Sequence, residues 1–194
     1  GGWVFIPVSE HLKVPGIQEA TRVGAYSASA RLGDSRAKGS FYGIDRLQFP
    51  EVGFFRRDFA YSDLGALMNR LATDEAALLV SPNFLVDHSL SPGDHVKLTV
   101  SAWGERKTVE FIVVDLVRYF PTYYPNDEEN RYLFVGNLDY LFQQMGGMFP
   151  YDVWITTDSN VNPEDVQFAL CDLDIRVTYM EGSREAVESA QDRP

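Results

Sequence analysis

Leu90–Val100 reads LSPGDHVKLTV, and Lys107–Pro125 reads KTVEFIVVDLVRYFPTYYP. The Pro-Gly-Asp at 92–94 is a turn that opens a strand, HVKLTVSAW, and GERK turns the chain back into TVEFIVVDLVRYF as the antiparallel partner. Val109, Phe111 and Val113 lie on one side of that second strand. Glu110, Ile112 and Val114 lie on the other, so it is apolar on both faces and reads as a central strand. By itself the pattern describes a small β-barrel or a hairpin, and its surroundings decide between them.

Upstream, TRVGAYSASARL predicts a strand from about Arg22 to Arg31. GDSRAKG is its turn, and SFYGIDRLQF its returning partner. WVFIPVSE at the start is an apolar run ended by a proline, consistent with a short strand. Leu64, Leu67, Met68 and Leu71 recur at helical spacing, with Ser62 or Asp63 as N-cap. Ala77–Val80 is a short buried strand, and Ser81-Pro82 leads into a turn of helix with proline in its favoured first position.

Downstream, PTYYPNDEENRY is a loop with two prolines and an acidic tip. A strand over Arg131–Val135 precedes a helix capped by Asn137, carrying Leu138, Leu141, Phe142 and Met145 on one face and ended by Gly146-Gly147. YDVWITTD is a strand, NPEDVQFALCDL a helix from Asn162, DIRVTYM a strand and SREAVESAQDRP a trailing end. This run predicts helices packed on one face of a sheet. The fold class expected is α+β: a mixed sheet with a βαβ-type lobe and a β-rich lobe at about 90–121, in one domain over 1–194 or in two subdomains.

The 194 residues are 45% hydrophobic and 13% aromatic, enough for a sizeable core. A formal charge of -11 opposes binding to nucleic acid or to an anionic membrane, because both demand clustered Lys and Arg. The doublet Arg56-Arg57 stands isolated and reads as solvated surface. Cys171 is the one cysteine, which excludes an internal disulfide and suits a small packed side chain. No apolar run reaches the ~20 residues of a membrane span, and no signal peptide is visible. The chain is expected to be either cytosolic or a piece of a membrane protein.

Reactive centres find little support. There is no G-x-S-x-G elbow, no phosphate-cradling G-x-x-x-x-G-K, and no helical pair among His11, His88 and His95. Asp127, Glu128 and Glu129 lack the alternate spacing of a calcium loop and read as a solvated tip. Asp172 and Asp174 are scattered acids in an acidic chain. No catalytic residue, cofactor or metal is expected, and the chain is read as not an enzyme. The aromatic clusters are the candidates for partner contact: Phe54 and Phe55 in FPEVGFF, and Tyr119, Phe120, Tyr123 and Tyr124 in RYFPTYYP. The alternative for each is a loop packed over a sheet edge.

Three stretches resemble one family. FYGIDRLQFPEVGFFRRDF matches a glycine-isoleucine-aspartate strand entering a phenylalanine-rich turn. SDLGALMNRLATDEAALLVSPNFLVDHSLSPGDHVKLTV matches a helix, a strand ending in Ser, a short helix and a Gly-Asp turn into a strand. VEFIVVDLVRYFPTYYP matches a valine-rich strand with a proline exit. Together, over about residues 20–180, they resemble the MacB-type periplasmic core of FtsX-like ABC transporter permeases. Asp115 stands where many members carry Gly, so the backbone there is expected to differ.

The resemblance implies a domain at the extracytoplasmic face of the cell membrane, tethered by transmembrane helices. It would couple an outside protein, peptide or lipid to a cytoplasmic ATPase, in export, lipoprotein release or mechanotransmission. It carries over no site residues. The rivals are a free-standing ligand- or peptide-binding module and a hydrolase using Asp172, Asp174 and His95.

Overall fold

The computed structural model describes residues 5–52, 63–118, 120–125, 130–158, 160–162, 165, 166 and 169. Helices α1 (Val8–His11), α2 (Phe49–Val52), α3 (Leu64–Leu71), α4 (Pro82–His88) and α5 (Leu138–Met145) accompany seven strands. These are β1 (Ile17–Leu32), β2 (Ser35–Ile44), β3 (Ala77–Val80), β4 (His95–Ala102), β5 (Glu105–Leu116), β6 (Tyr132–Asn137) and β7 (Asp152–Thr157). The fold is a mixed α+β one. Among the described residues no helix is long and apolar enough to cross a membrane.

The strand order is β2-β6-β3-β5-β4-β1-β7, and β1 also pairs with β2. That extra pairing closes six strands into a ring, with β7 continuing outward from β1. β1 makes closure feasible by its length: residues 23–32 pair with β2, 27–30 with β4 and 17–23 with β7. Period-two alternation then sends one face of every strand inward. Ala28 pairs with Gly39 and Val100, Phe41 with Phe134, Val80 with Phe134, Leu78 with Val113, and Val96 with Phe111. All these side chains except glycine's belong to one buried core. Small residues on β1 and β2 face Phe41, Phe111 and Phe134, so volume is matched across the interior. Gly39 is the tightest point, since a Cβ there would lie 2.0 Å from the Tyr132 carbonyl oxygen of β6.

A second core lies on the opposite face of β2, β6 and β3. Tyr42, Ile44, Ala77, Leu79, Leu133 and Val135 pack there against Leu67, Met68 and Leu71 of α3, with Phe49 and Phe120. α3 begins where Asp63 accepts a hydrogen bond from the Ala66 amide (2.7 Å), the N-cap expected. Pro82 stands in the first turn of α4, although the Ser81 hydroxyl accepts from the Leu133 amide of β6 instead of capping (3.1 Å).

Several local expectations change. GERK is not the turn: Ala102 pairs with Glu105, so Trp103 and Gly104 alone reverse the chain, both at positive φ as a two-residue hairpin with right-handed twist demands. In the first hairpin, β2 starts at Ser35 and ends at Ile44, because Asp45 is held by Arg22 and the chain turns into α2. Phe5–Pro7 is not a strand; Pro7 leads into α1. Asn137 stands at the N-cap position of α5 as expected, but its side chain makes no capping bond: the side-chain amide donates to the carbonyls of Leu71 (3.0 Å), Asp74 (3.3 Å) and Glu75 (3.1 Å), tying β6 to the connection between α3 and β3.

β6 and β7 are not neighbours in the sheet, and the second helix and last strand of the expected run lie mostly outside the described residues. β6 lies between β2 and β3, while β7 runs antiparallel to β1. α5 lies on the barrel-interior side and α3 on the outer side. The cause is a row of glycines, Gly24, Gly43 and Gly136, paired across three strands. A Cβ at Gly24 or Gly43 would stand within 2.8 Å of the Leu138 side chain, so the row makes the notch into which α5 inserts.

The 90–121 block supplies β4 and β5, which hydrogen-bond outward to β1 and β3 and share one sheet with the remainder. Asp115 sits beside a β-bulge, where pairing steps from Leu78–Val113 to Leu79–Asp115, and its carboxylate accepts from the Leu116 amide (2.8 Å). The helix from Asn162 is described only at Asp165, Val166 and Ala169, with Val166 packed near Val14 and Ile17. DIRVTYM and the trailing end lie outside the described residues.

Candidate functional site

Of the aromatic contact candidates, Phe54, Phe55 and Tyr119 lie outside the described residues. Phe120 and Tyr123 are buried, at 2% and 4% exposure, and are corrected from partner contacts to core residues. The reason is the turn at Pro121-Thr122: Tyr123 N–H donates to the Phe120 carbonyl (2.8 Å) and Thr122 takes φ 73°, which folds the loop back on the sheet. Phe120 stacks on Tyr42 (4.3 Å) and Phe49 (5.3 Å), and Tyr123 O–H donates to the Asn130 carbonyl (3.1 Å). Burial pushes the Tyr42 hydroxyl upward in pKa, against a hydrogen bond from Thr122. Tyr124 alone of the described set is exposed, at 71%.

The histidines stand apart. His11 is buried beside the Pro7 carbonyl, and His88 lies between the rings of Phe84 (5.2 Å) and Tyr132 (5.6 Å). His95 is exposed and faces Glu110 (3.0 Å). Among the described residues no three His, Cys, Asp or Glu side chains converge as a metal site would require. Arg56, Arg57, Asp127, Glu128, Glu129, Cys171, Asp172 and Asp174 lie outside the described residues.

Two polar constellations remain. At the barrel mouth Arg22 donates to both Asp45 oxygens (2.7 and 2.8 Å) and to Asp139 on α5 (2.8 Å), and its guanidinium lies 5.7 Å from the Tyr151 ring centre. The Asp45 hydrogen bonds raise the Arg22 pKa despite the opposing effect of burial, so the cation is held charged. Nearby, Tyr26 donates to the Pro150 carbonyl (2.9 Å), and burial raises its pKa. These contacts join β1, the end of β2, α5 and the approach to β7. Their chemistry is that of a clamp, since the Arg22 guanidinium is already held by two carboxylates and the Tyr26 hydroxyl by a carbonyl.

The outer face of β1, β2, β4 and β5 is different. Among the described residues no helix packs on it, and the register aligns its side chains in rows: Ser40, Ser27, Ser101 and Arg106; then Lys38, Ser29, Thr99 and Thr108. Arg31 stands directly opposite Arg36 in the next row, and Lys97 opposite Glu110. A shallow depression of about 480 Å³ runs over the hydroxyl floor, bordered by Arg36, Lys38, Glu105 and Arg106. Among the described residues no carboxylate pairs with Arg31, Arg36, Lys97 or Arg106, and Arg106 meets only the Ser101 hydroxyl (3.3 Å). Exposed Trp103 stands at the hairpin tip, next in sequence to Gly104 of the lining. Sequence reading missed this face although its signal was present: Ser27, Ser29 and Arg31 alternate with buried residues, as do Arg36 and Lys38. Only the closed register shows that the rows belong together.

No family model matches the chain, and no curated protein matches it at a significant level. Solved structures do. The extracellular domain of the noncanonic ABC-type transporter YknZ from Gram-positive bacteria superposes with a TM-score of 0.53 at 12% identity, over 87% of this chain and 83% of that one. The periplasmic region of MacB from Actinobacillus actinomycetemcomitans gives 0.53 at 11% identity, over 96% and 82%. A permease-protein domain from Porphyromonas gingivalis gives 0.51 at 14%, over 91% and 72%. The chain thus has the fold of these extracellular and periplasmic domains, the fold that the sequence resemblance implied.

Proposed function

We propose that this chain is a non-catalytic extracytoplasmic domain of an ABC transporter permease, coupling an outside partner to a cytoplasmic ATPase. The observation that carries the reading is the fold shared with the YknZ and MacB domains over roughly nine-tenths of the chain. A second supports it: β1 begins beside the end of β7, with Ile17 paired to Thr157 and the Asp158 amide donating to the Gly16 carbonyl (3.0 Å). The segments flanking the two strands also pack together, Val14 and Ile17 with Val166, which suits an insertion whose two ends lie side by side. From that base β1 passes as one strand along β7, β4 and β2, so a displacement there is carried into the barrel through hydrogen-bonded ladders. The outside partner is a protein, peptide or lipid, and Tyr124 and Trp103 are exposed aromatics among the described residues that are available to it.

The test is the complete gene product. Hydrophobic segments should flank these residues, and a cytoplasmic ATPase should copurify with the full-length protein. Deleting residues 17–157 should leave that association intact and abolish any stimulation of ATP turnover from outside. A complete product with no membrane-spanning segment on either side overturns the reading.

A further inference from the structure

Resting on that reading, we propose that the outer face of β1, β2, β4 and β5 is the docking face for the partner, and that it takes an extended acidic peptide segment with carboxylates at alternate positions. The chain carries a net charge of -11, yet this face gathers Arg31, Arg36, Lys97 and Arg106 with no carboxylate paired to them among the described residues. Arg31 and Arg36 are direct cross-strand partners, a placement that repels and leaves both guanidinium groups turned toward solvent. Each has a planar fork suited to a carboxylate.

Shape and spacing select an extended peptide. Between the long cationic side chains the floor is made of Ser27, Ser29, Thr99 and Ser101, short enough to leave a trough. Rows along a strand repeat every two residues, about 6.7 Å, and so do alternate side chains of an extended peptide lying along it. Glu105 at the rim and Glu110, engaged by His95, repel carboxylates on the β5 side, which sets the peptide over β1, β2 and β4. Trp103 holds φ at 48°, a left-handed conformation unusual for a large side chain, and remains 65% exposed at the hairpin tip beside Gly104 of the trough lining. It is placed as the apolar anchor. An anionic membrane fits less well, since a curved barrel wall presents few of these cations to a plane and the rest of the chain repels it.

The experiment is fluorescence anisotropy on the 194-residue chain with a labelled (Glu-Ser)4 peptide, its (Gln-Ser)4 counterpart, inorganic polyphosphate, and phosphatidylglycerol vesicles. (Glu-Ser)4 should bind at least tenfold more tightly than (Gln-Ser)4, and its binding should weaken as salt rises from 50 to 200 mM. Arg31→Glu with Arg36→Glu should lower its affinity at least tenfold. Trp103→Asn should weaken it severalfold with no loss of Tm, because asparagine suits the left-handed turn. Equal affinity for the two peptides, an unchanged affinity in the double variant, or tighter binding of polyphosphate or vesicles than of (Glu-Ser)4 overturns the proposal. Failure here with ATPase association intact removes only this docking face. Peptide binding without any flanking membrane segment removes the transporter reading and leaves the face standing.

Discussion

At the barrel mouth, Arg22 makes three carboxylate contacts of 2.7–2.8 Å and lies near the Tyr151 ring. On the outer face of the same hairpin, Arg36 stands opposite Arg31 with no carboxylate paired to it among the described residues. The difference follows from which side of the ladder each occupies. The mouth side faces α5 and the end of β2, where a cation entering a partly buried site demands partners. The outer side faces water, which solvates a cation without any. The mouth cation is therefore structural, and its removal should be costly. Arg31 and Arg36 on the outer side have no carboxylate partner among the described residues, and their removal should cost little.

The largest effect expected belongs to neither arginine but to the ring that separates the two sides. Gly39→Ala puts a methyl group against the Tyr132 carbonyl, a backbone atom that only a shift of β6 relieves. A loss of about 3 kcal/mol or more is expected in chemical denaturation. A loss below about 1 kcal/mol would mean that the β2–β6 contact is looser than described and that the ring does not define two sides.

Next comes the clamp. Asp45→Ala leaves Arg22 without its bidentate partner, where both side chains are under one-fifth exposed, and should cost about 2–3 kcal/mol. Asp139 is 79% exposed, so Asp139→Ala should cost under about 1 kcal/mol despite a contact of the same length. Equal losses from the two would contradict the ranking by burial.

Much of this architecture was legible beforehand and part was not, for physical reasons. Ala77–Val80, the α3 N-cap at Asp63 and the central β5 strand come from local periodicity and capping, which neighbours in sequence suffice to define. The Arg22–Asp45–Asp139 clamp joins residues 23 and 117 positions apart, and no local pattern announces it. Phe120 and Tyr123 looked like surface because prolines flank them, whereas the turn at Thr122 directs them inward. The cationic face was half legible: alternation marked its strands as solvent-facing on one side, but only ring closure sets β4 beside β1 and makes four strips into one surface.

A smaller effect tests the mouth from another direction. Burial lifts the Tyr26 hydroxyl above its ordinary pKa of about 10, so above that pH the unfolded chain loses this proton first and binds fewer protons than the folded one. Stability should therefore fall as pH rises through 10 and beyond. Tyr26→Phe loses the bond to the Pro150 carbonyl, about 1 kcal/mol at pH 7, yet escapes the alkaline loss. Denaturation curves of the two proteins should converge between pH 7 and 11, and a constant gap across that range would mean that the hydroxyl is solvated.

The smallest effect has the opposite sign. Arg36→Glu replaces a repulsive cross-strand pair with an attractive one against Arg31, at an exposed position. A gain of about 0.5 kcal/mol or less is expected, shrinking as salt is raised, because exposed pairs are weak and screened. Compared with Asp45→Ala this is the sharpest form of the contrast, since changing a charge at the mouth should unfold the protein more readily while changing one on the outer face should slightly strengthen it. Destabilisation by Arg36→Glu in a low-salt melt would show that the outer cations do structural work as Arg22 does, and the distinction between a clamp and an open face would fail.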